Sequence, residues 1–308
     1  MDHDRADRLV HIVDDVEPLE APVLVLALEG FLDAGRASVL AAEHLLADRG
    51  PVVATFDVDE LYDYRARRPP VSFVRDRYED YAAPRLVVRR QRDAEGTPYL
   101  LLVGPEPDVR WEAFARAVRV LVERLGVSRV VALAAVPMAV PHTRPVALTV
   151  HANEADLVTG PSPWQGELRV PSSAQAMLEI RLGEWGHPMQ GVVVHVPHYL
   201  AQMGYPRAAI SLLEHVAQAA SLSFDLTTLR AEAERTDAEI ADYLTEHAEV
   251  LEVVQGLERQ YDTFHRAEEQ GSNLLAPEEP LPSGEEIGRQ FEQFLAGLEG
   301  PDVPDDRT

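Results

Sequence analysis

A chain of 308 residues, 46% hydrophobic and 26% charged, has room for one large α/β domain and an accessory piece. It contains no cysteine, which excludes disulfides, thiolate metal sites and a cysteine nucleophile; its 28 basic residues are all arginine, which argues against Walker-type phosphate loops and Schiff-base chemistry. The net charge of −24, with no basic patch interleaved with aromatics, sets aside nucleic acid and anionic membrane surfaces as partners.

The first 220 residues alternate short apolar runs with amphipathic segments. PVLVLALEG (22–30) reads as a strand covered on both faces. AGRASVLAAEHLLADRG (34–50) reads as a helix stopped at Gly50, and PVVATFDV (51–58) as a second strand. The stretch 60–81 reads as a long irregular loop, of a length that is usually functional or interfacial. RLVVRRQ and TPYLLLVG flank Asp93-Ala94-Glu95-Gly96 as a hairpin.

A helix follows in PDVRWEAFARAVRVLVERLG, with Trp111, Phe114, Val118, Leu121, Val122 and Leu125 on one side. VSRVVALAAVP and RPVALTVHAN are further strands. Ser172 and Gln175 form a Ser-x-x-Gln start for the next helix. GVVVHVPHY is the last strand and YPRAAISLLEHVAQAA the helix after it. This alternation argues for an α/β fold, a three-layer α/β/α sandwich with a mainly parallel sheet.

Composition changes near residue 222. From Asp225 onward there are 22 acidic and 6 basic residues, a net of −16, leaving −8 for the residues before it. Residues 226–264 lack proline and carry an apolar stripe of Ile240, Leu244, Leu251, Val254, Leu257, Tyr261 and Phe264, with Thr236 and Glu239 as a capping box. Such a helix has to cover its apolar face on the first domain or on another subunit. The expected organisation is an α/β domain at 1–222 and a helical hairpin at 223–270. An acidic linker, a short amphipathic helix capped by Ser283 and Glu286, and a disordered tail are expected over 271–308. No apolar run approaches the roughly 20 residues of a membrane span, so a cytoplasmic protein is expected.

In a parallel sheet the strand exits share one edge, where ligands and partners bind. Those exits supply the candidate site: Glu29, Asp33, Glu106, Asp108, Arg110, His142, Thr143, Arg144, His198 and Tyr199. Each residue type also has a structural use. Asp33 and Asp108 suit helix N-caps, and Arg110 and Arg144 suit pairing with Glu29 or Glu106. A metal site from His142, His195 and His198 lacks a known ligand spacing, and no metal or cofactor is expected. No Gly-x-Ser-x-Gly elbow or GxGxxG fingerprint is present, while Glu29 with Asp33 or Glu106 offers a carboxylate pair for acid–base work.

Five segments in collinear order resemble the actinobacterial branch of the PAC2 family, named after a eukaryotic proteasome assembly chaperone. They are LEGFLDAGRAS (28–38), DYRARRP (63–69), GPEPDVRWEAF (104–114), VPHTRP (140–145) and VPHYLAQMGYPRAAISLLE (196–214), within a resemblance that covers residues 8 to about 265. The resemblance implies a Rossmann-like core of the purine nucleoside phosphorylase and hydrolase arrangement, a C-terminal helical hairpin, and homo-oligomers, with a trimer favoured. It also implies a non-enzymatic assembly or interaction role with proteasome subunits as partners. Archaeal members dock through a hydrophobic-Tyr-x carboxyl terminus, which Pro304-Asp305-Asp306-Arg307-Thr308 does not match. The alternative is a hydrolase- or phosphorylase-like enzyme or ligand binder at the carboxyl edge. There Arg110, His142 and Arg144 would hold an anion and Glu29 or Asp33 would act as base. A third reading gives VPHTRP a purely structural role at a subunit interface.

Overall fold

The computed structural model describes residues 9–14, 19–20, 22–30, 32–158 and 167–269. The chain divides into two units, Met1–Arg259 and Gln260–Thr308. Of the second, only the end of the last helix is described; the expected linker, short amphipathic helix and tail at 271–308 lie outside the described residues, as does Phe31.

The first unit is built on an eight-stranded sheet. Its strands are β1 (Val10–Ile12), β2 (Val23–Glu29), β3 (Val52–Phe56), β6 (Val87–Arg92), β7 (Pro98–Pro105), β8 (Arg129–Met138), β9 (Leu148–Ala152) and β10 (Met189–Pro197), ordered β1-β3-β6-β7-β2-β8-β10-β9. The centre, β7-β2-β8-β10, is parallel; β6, β3 and β1 on one flank and β9 on the other pair antiparallel. The four exits of the parallel strands therefore share one edge.

Helices cover both faces. On one side lie α1 (Ala37–Leu45), α4 (Pro206–Ala220) and α5 (Thr227–Glu246), on the other α2 (Trp111–Arg124) and α3 (Ala174–Glu184); α6 (Ala248–Glu269) follows α5 across His247. Alternation along β2 makes the sandwich: Val25 and Ala27 join one core, Leu24, Leu26 and Leu28 the other. Strands buried on both faces are stabilised by apolar burial at about 25 cal/mol per Å². Ile240, Leu244 and Val254 enter the first core, so that part of the C-terminal apolar stripe is covered within the first unit, while Leu251 and Phe264 stay exposed.

Several boundaries differ from expectation. The stretch 60–81 is irregular only in part: β4 (Ser72–Val74) and β5 (Arg77–Glu79) pair as a hairpin around Arg75 and Asp76, with Arg75 at φ 58. The residues of both hairpin strands are exposed, so no apolar alternation marks them as a strand pair. Gly50 does not end α1, which stops at Leu45; a Cβ at Gly50 would lie 1.9 Å from the Arg90 carbonyl oxygen, so glycine is there for close approach to β6. Gln91 finishes α1 instead, donating from Nε2 to Leu45 O at 2.7 Å. The α3 cap is Ser173, whose hydroxyl accepts from Ala176 N at 3.0 Å, and Gln175 reaches Leu133 O at 3.2 Å rather than closing a capping box. Thr236 lies inside α5, not at its start, because Asp225 accepts from Thr227 N at 3.0 Å and opens the helix earlier.

Candidate functional site

The exits of the parallel strands sort by their contacts into two groups on opposite sides of the sheet edge. On the α2–α3 side, β7 runs into Glu106 and Asp108. Glu106 is only 8% exposed, and its Oε1 accepts from Ala174 N at 2.5 Å at the start of α3. Asp108 does not cap α2, whose N-cap position holds Arg110 in the left-handed region; it accepts from Asp63 N at 3.0 Å and pairs with Arg67 at 3.3 Å, because the 61–67 segment lies over it. The same segment is pinned by Tyr62, whose hydroxyl donates to Pro105 O at 2.7 Å. Arg110 pairs with Glu60 rather than Glu29 or Glu106, since the loop after β3 brings Glu60 to it first. Glu29 ends β2 exposed, and its carbonyl accepts from Glu106 N at 3.0 Å. Asp63, Arg67, Glu106, Asp108, Trp111 and Ser172 line an open cleft of about 410 Å³.

On the α4–α6 side the groups close on one another. His142 N donates to the Tyr199 hydroxyl at 2.9 Å, and that hydroxyl lies 2.7 Å from His142 Nδ1. Burial pushes the imidazole below its ordinary value and the Tyr199 hydroxyl up to about 12, so both stay neutral near pH 7. Thr143 donates to Glu258, and Arg144 pairs with Glu258 at 3.4 Å, not with Glu29 or Glu106; α6 reaches the VPHTRP loop before either of those carboxylates can. Arg207 Nε donates to both Asp237 oxygens, at 2.8 and 2.7 Å, and its Nη2 lies 2.5 Å from Oδ2. His198 is exposed and packs edge-on to the Tyr199 ring at 5.4 Å. His195 is buried, with Nε2 2.7 Å from Thr149 Oγ1, so the three histidines considered for a metal each have a different setting. The Tyr205 hydroxyl, on a residue 1% exposed, has no hydrogen-bond partner among the described residues.

Asp33 is a cap. Its two oxygens accept from Ser38 N at 2.8 Å and Val39 N at 3.1 Å at the start of α1. With both oxygens so used it is poorly placed as a general base. Sequence reasoning missed Asp63, Arg67, Trp111 and Ser172 on one side and Glu258, Asp237 and Arg207 on the other. The DYRARRP tract held a signal for the first pair. Nothing local ties Glu258 to Arg144, 114 residues away.

These features define a class: an α/β/α sandwich with a parallel centre, whose edge groups are mostly engaged with one another, and with a helical C-terminal addition. The PAC2 family model matches residues 27–244, and the chain belongs to the PAC2 family. No curated protein matches it. Among solved structures it is similar to a Mycobacterium tuberculosis protein of unknown function, at 46% identity and TM-score 0.81 over 86% of this chain and 92% of that one. It is also similar to a proteasome-assembly chaperone homologue of Mycobacterium tuberculosis, at 29% identity and TM-score 0.69, covering 75% of this chain and 99% of that one. An archaeal proteasome activator of Pyrococcus furiosus, at 16% identity and TM-score 0.57 over 77% of this chain and 99% of that one, shares the fold.

Proposed function

We propose that the chain is a non-enzymatic assembly chaperone or interaction protein, that its partners are proteasome-related, and that it works in the cytoplasm as a homo-oligomer, with a trimer favoured. In this reading residues 1–222 form the body and 223–270 the helical hairpin. The family supports the role, as does its similarity to a proteasome-assembly chaperone homologue. The observation that carries it is how the edge is used. Asp33 caps a helix, Arg110 and Arg144 are paired with carboxylates, and His142 is bonded to Tyr199, so most of the groups an enzyme would present to substrate are occupied by structure, Glu29 and one oxygen of Glu106 excepted. No helix among the described residues is long and apolar enough to cross a membrane.

Meanwhile the 70–83 arm, exposed throughout, carries Phe73 at 63% and Tyr78 at 73% exposure, their rings 5.1 Å apart. Exposed aromatic pairs of this kind mark protein contacts. The arm's own charges, Arg75 and Arg77 against Asp76, Glu79 and Asp80, nearly balance, so its exposed aromatic pair is what supports reading it as the self-association contact. The test is retention of proteasome α-subunits from the same cell on the immobilised protein. Enrichment over a control supports the partner, and none removes it. Light scattering reads the oligomer, which Phe73→Ser with Tyr78→Ser is expected to dissociate.

A further inference from the structure

We propose that the cleft between the Glu106–Asp108 loop and the Asp63–Arg67 segment binds a guanidinium or alkylammonium group, with Glu106 as the anionic partner and Trp111 as the aromatic wall. It is independent of the proteasome-related reading. The cleft is lined by three carboxylates, Asp63, Glu106 and Asp108, against one arginine, Arg67. Their commitments differ. Asp108 is matched by Arg67 and by the Asp63 amide. Asp63 Oδ1 accepts from Arg65 N at 3.0 Å and Nε at 3.3 Å. Glu106, by contrast, pairs with no cation among the described residues. Its Oε1 caps α3, while its Oε2 lies beside Gly30, 3.3 Å from where a Cβ there would sit.

Oε1 of this carboxylate is met by one amide at a helix start, whereas Oε2 accepts from no group among the described residues and is not sealed from solvent, so part of the charge is open to a cation. A planar cation entering the cleft would complete it by a charge-assisted hydrogen bond. Trp111 suits such a ligand. Its indole Nε1 donates to Pro107 O at 2.7 Å, which fixes the ring at the cleft wall and commits its only donor. An indole face beside a carboxylate favours a cation. The volume of about 410 Å³ takes a side chain or a small amine, and the chain's net charge of −24 draws cations toward it. An anion fits poorly, since the one cation lining the cleft is already paired.

The chemistry has two sources, a free small amine or the arginine of a partner polypeptide, and two probes separate them: agmatine and a blocked arginine dipeptide. Each is titrated calorimetrically into the full chain at physiological salt. Single-site binding is expected, weakened about 10-fold or more in Glu106→Gln, which keeps an oxygen for Ala174 N, and left unchanged in Glu249→Gln, an equal charge change on exposed α6. Preference for agmatine indicates a free amine, and preference for the dipeptide a protein side chain. Ser172→Arg, at the exposed rim, places a tethered guanidinium in the cleft and is expected to block both probes even if Glu106→Gln unfolds. Absence of binding at millimolar probe, equal weakening by Glu249→Gln, or full binding to Ser172→Arg overturns the proposal.

Discussion

The two sides of the sheet edge are made from similar residues and put to opposite use. On the α4–α6 side Arg144 meets Glu258, Arg207 meets Asp237 and His142 meets Tyr199. On the α2–α3 side Glu106 keeps an oxygen without a partner among the described residues, beside an open cleft. The difference comes from what lies over each exit. Two long helices carry carboxylates down onto the first, whereas only the 61–67 segment crosses the second. A cluster of polar strand ends is therefore a place, and the element packed above it decides which of its groups stay unpaired.

The largest expected effect sharpens the closed side. Gly35 has φ 65, and a methyl there would lie 2.9 Å from Tyr205 Cβ and 3.1 Å from Val196 Cγ1, with Tyr205 N bonded to Gly35 O at 2.8 Å. Gly35→Ala should cost about 3 kcal/mol in urea unfolding, combining left-handed strain with overpacking. Gly96→Ala, at φ 87 with nothing within 4 Å, should cost about 1 kcal/mol by the same measurement. Equal costs would mean that the closed side is not tightly packed around Gly35.

Next in size is Asp33→Ala, expected to lose about 1 to 2 kcal/mol because two amides at the start of α1 lose their acceptor. If Asp33 were held for chemistry rather than capping, stability would not change. Smaller still is Glu258→Gln. Removing one partly buried charge pair should cost about 1 kcal/mol or less, yet speed amide exchange in 248–259 relative to the sheet. Unaltered exchange there would show that Glu258 does not hold α6 to the VPHTRP loop.

The smallest effect is a pH dependence. Burial lowers the imidazole values of His142, His195 and His215, so each takes up a proton more readily in the unfolded chain. Their contribution to stability is present above the ordinary value of 6.5 and is lost as pH falls below it through the lowered native values. His151 runs the other way: its hydrogen bond to Glu179 raises it, so its contribution is present at low pH and lost as pH rises through the raised value. His195→Asn should therefore make Tm fall less between about pH 7.5 and about pH 5 than it does in the parent chain. A larger fall in that variant would contradict the assignment.

The layers were legible because the parallel strands are apolar on both faces: Leu24 to Leu28 reads as one run, and alternate residues enter opposite cores. The amphipathic stripe of α2 was equally plain. The hairpin at 72–79 was not, because an arm outside the core carries no inside-outside alternation. Within the site, the strand exits could be located from sequence, but their partners could not. Asp33 capping needs only local spacing and was anticipated, whereas Arg110 with Glu60 and Arg144 with Glu258 depend on which loop or helix arrives over the edge. The cap at Ser173 rather than Ser172 is a one-residue error of a kind local motifs cannot resolve, since either serine could begin the helix.

The most direct test of the central claim is retention of purified proteasome α-subunits from the same cell by the immobilised full chain at about 150 mM salt, where diffuse attraction is largely screened. Specific, saturable retention is the expected result. No retention above a control of equal negative charge would contradict a proteasome-related role.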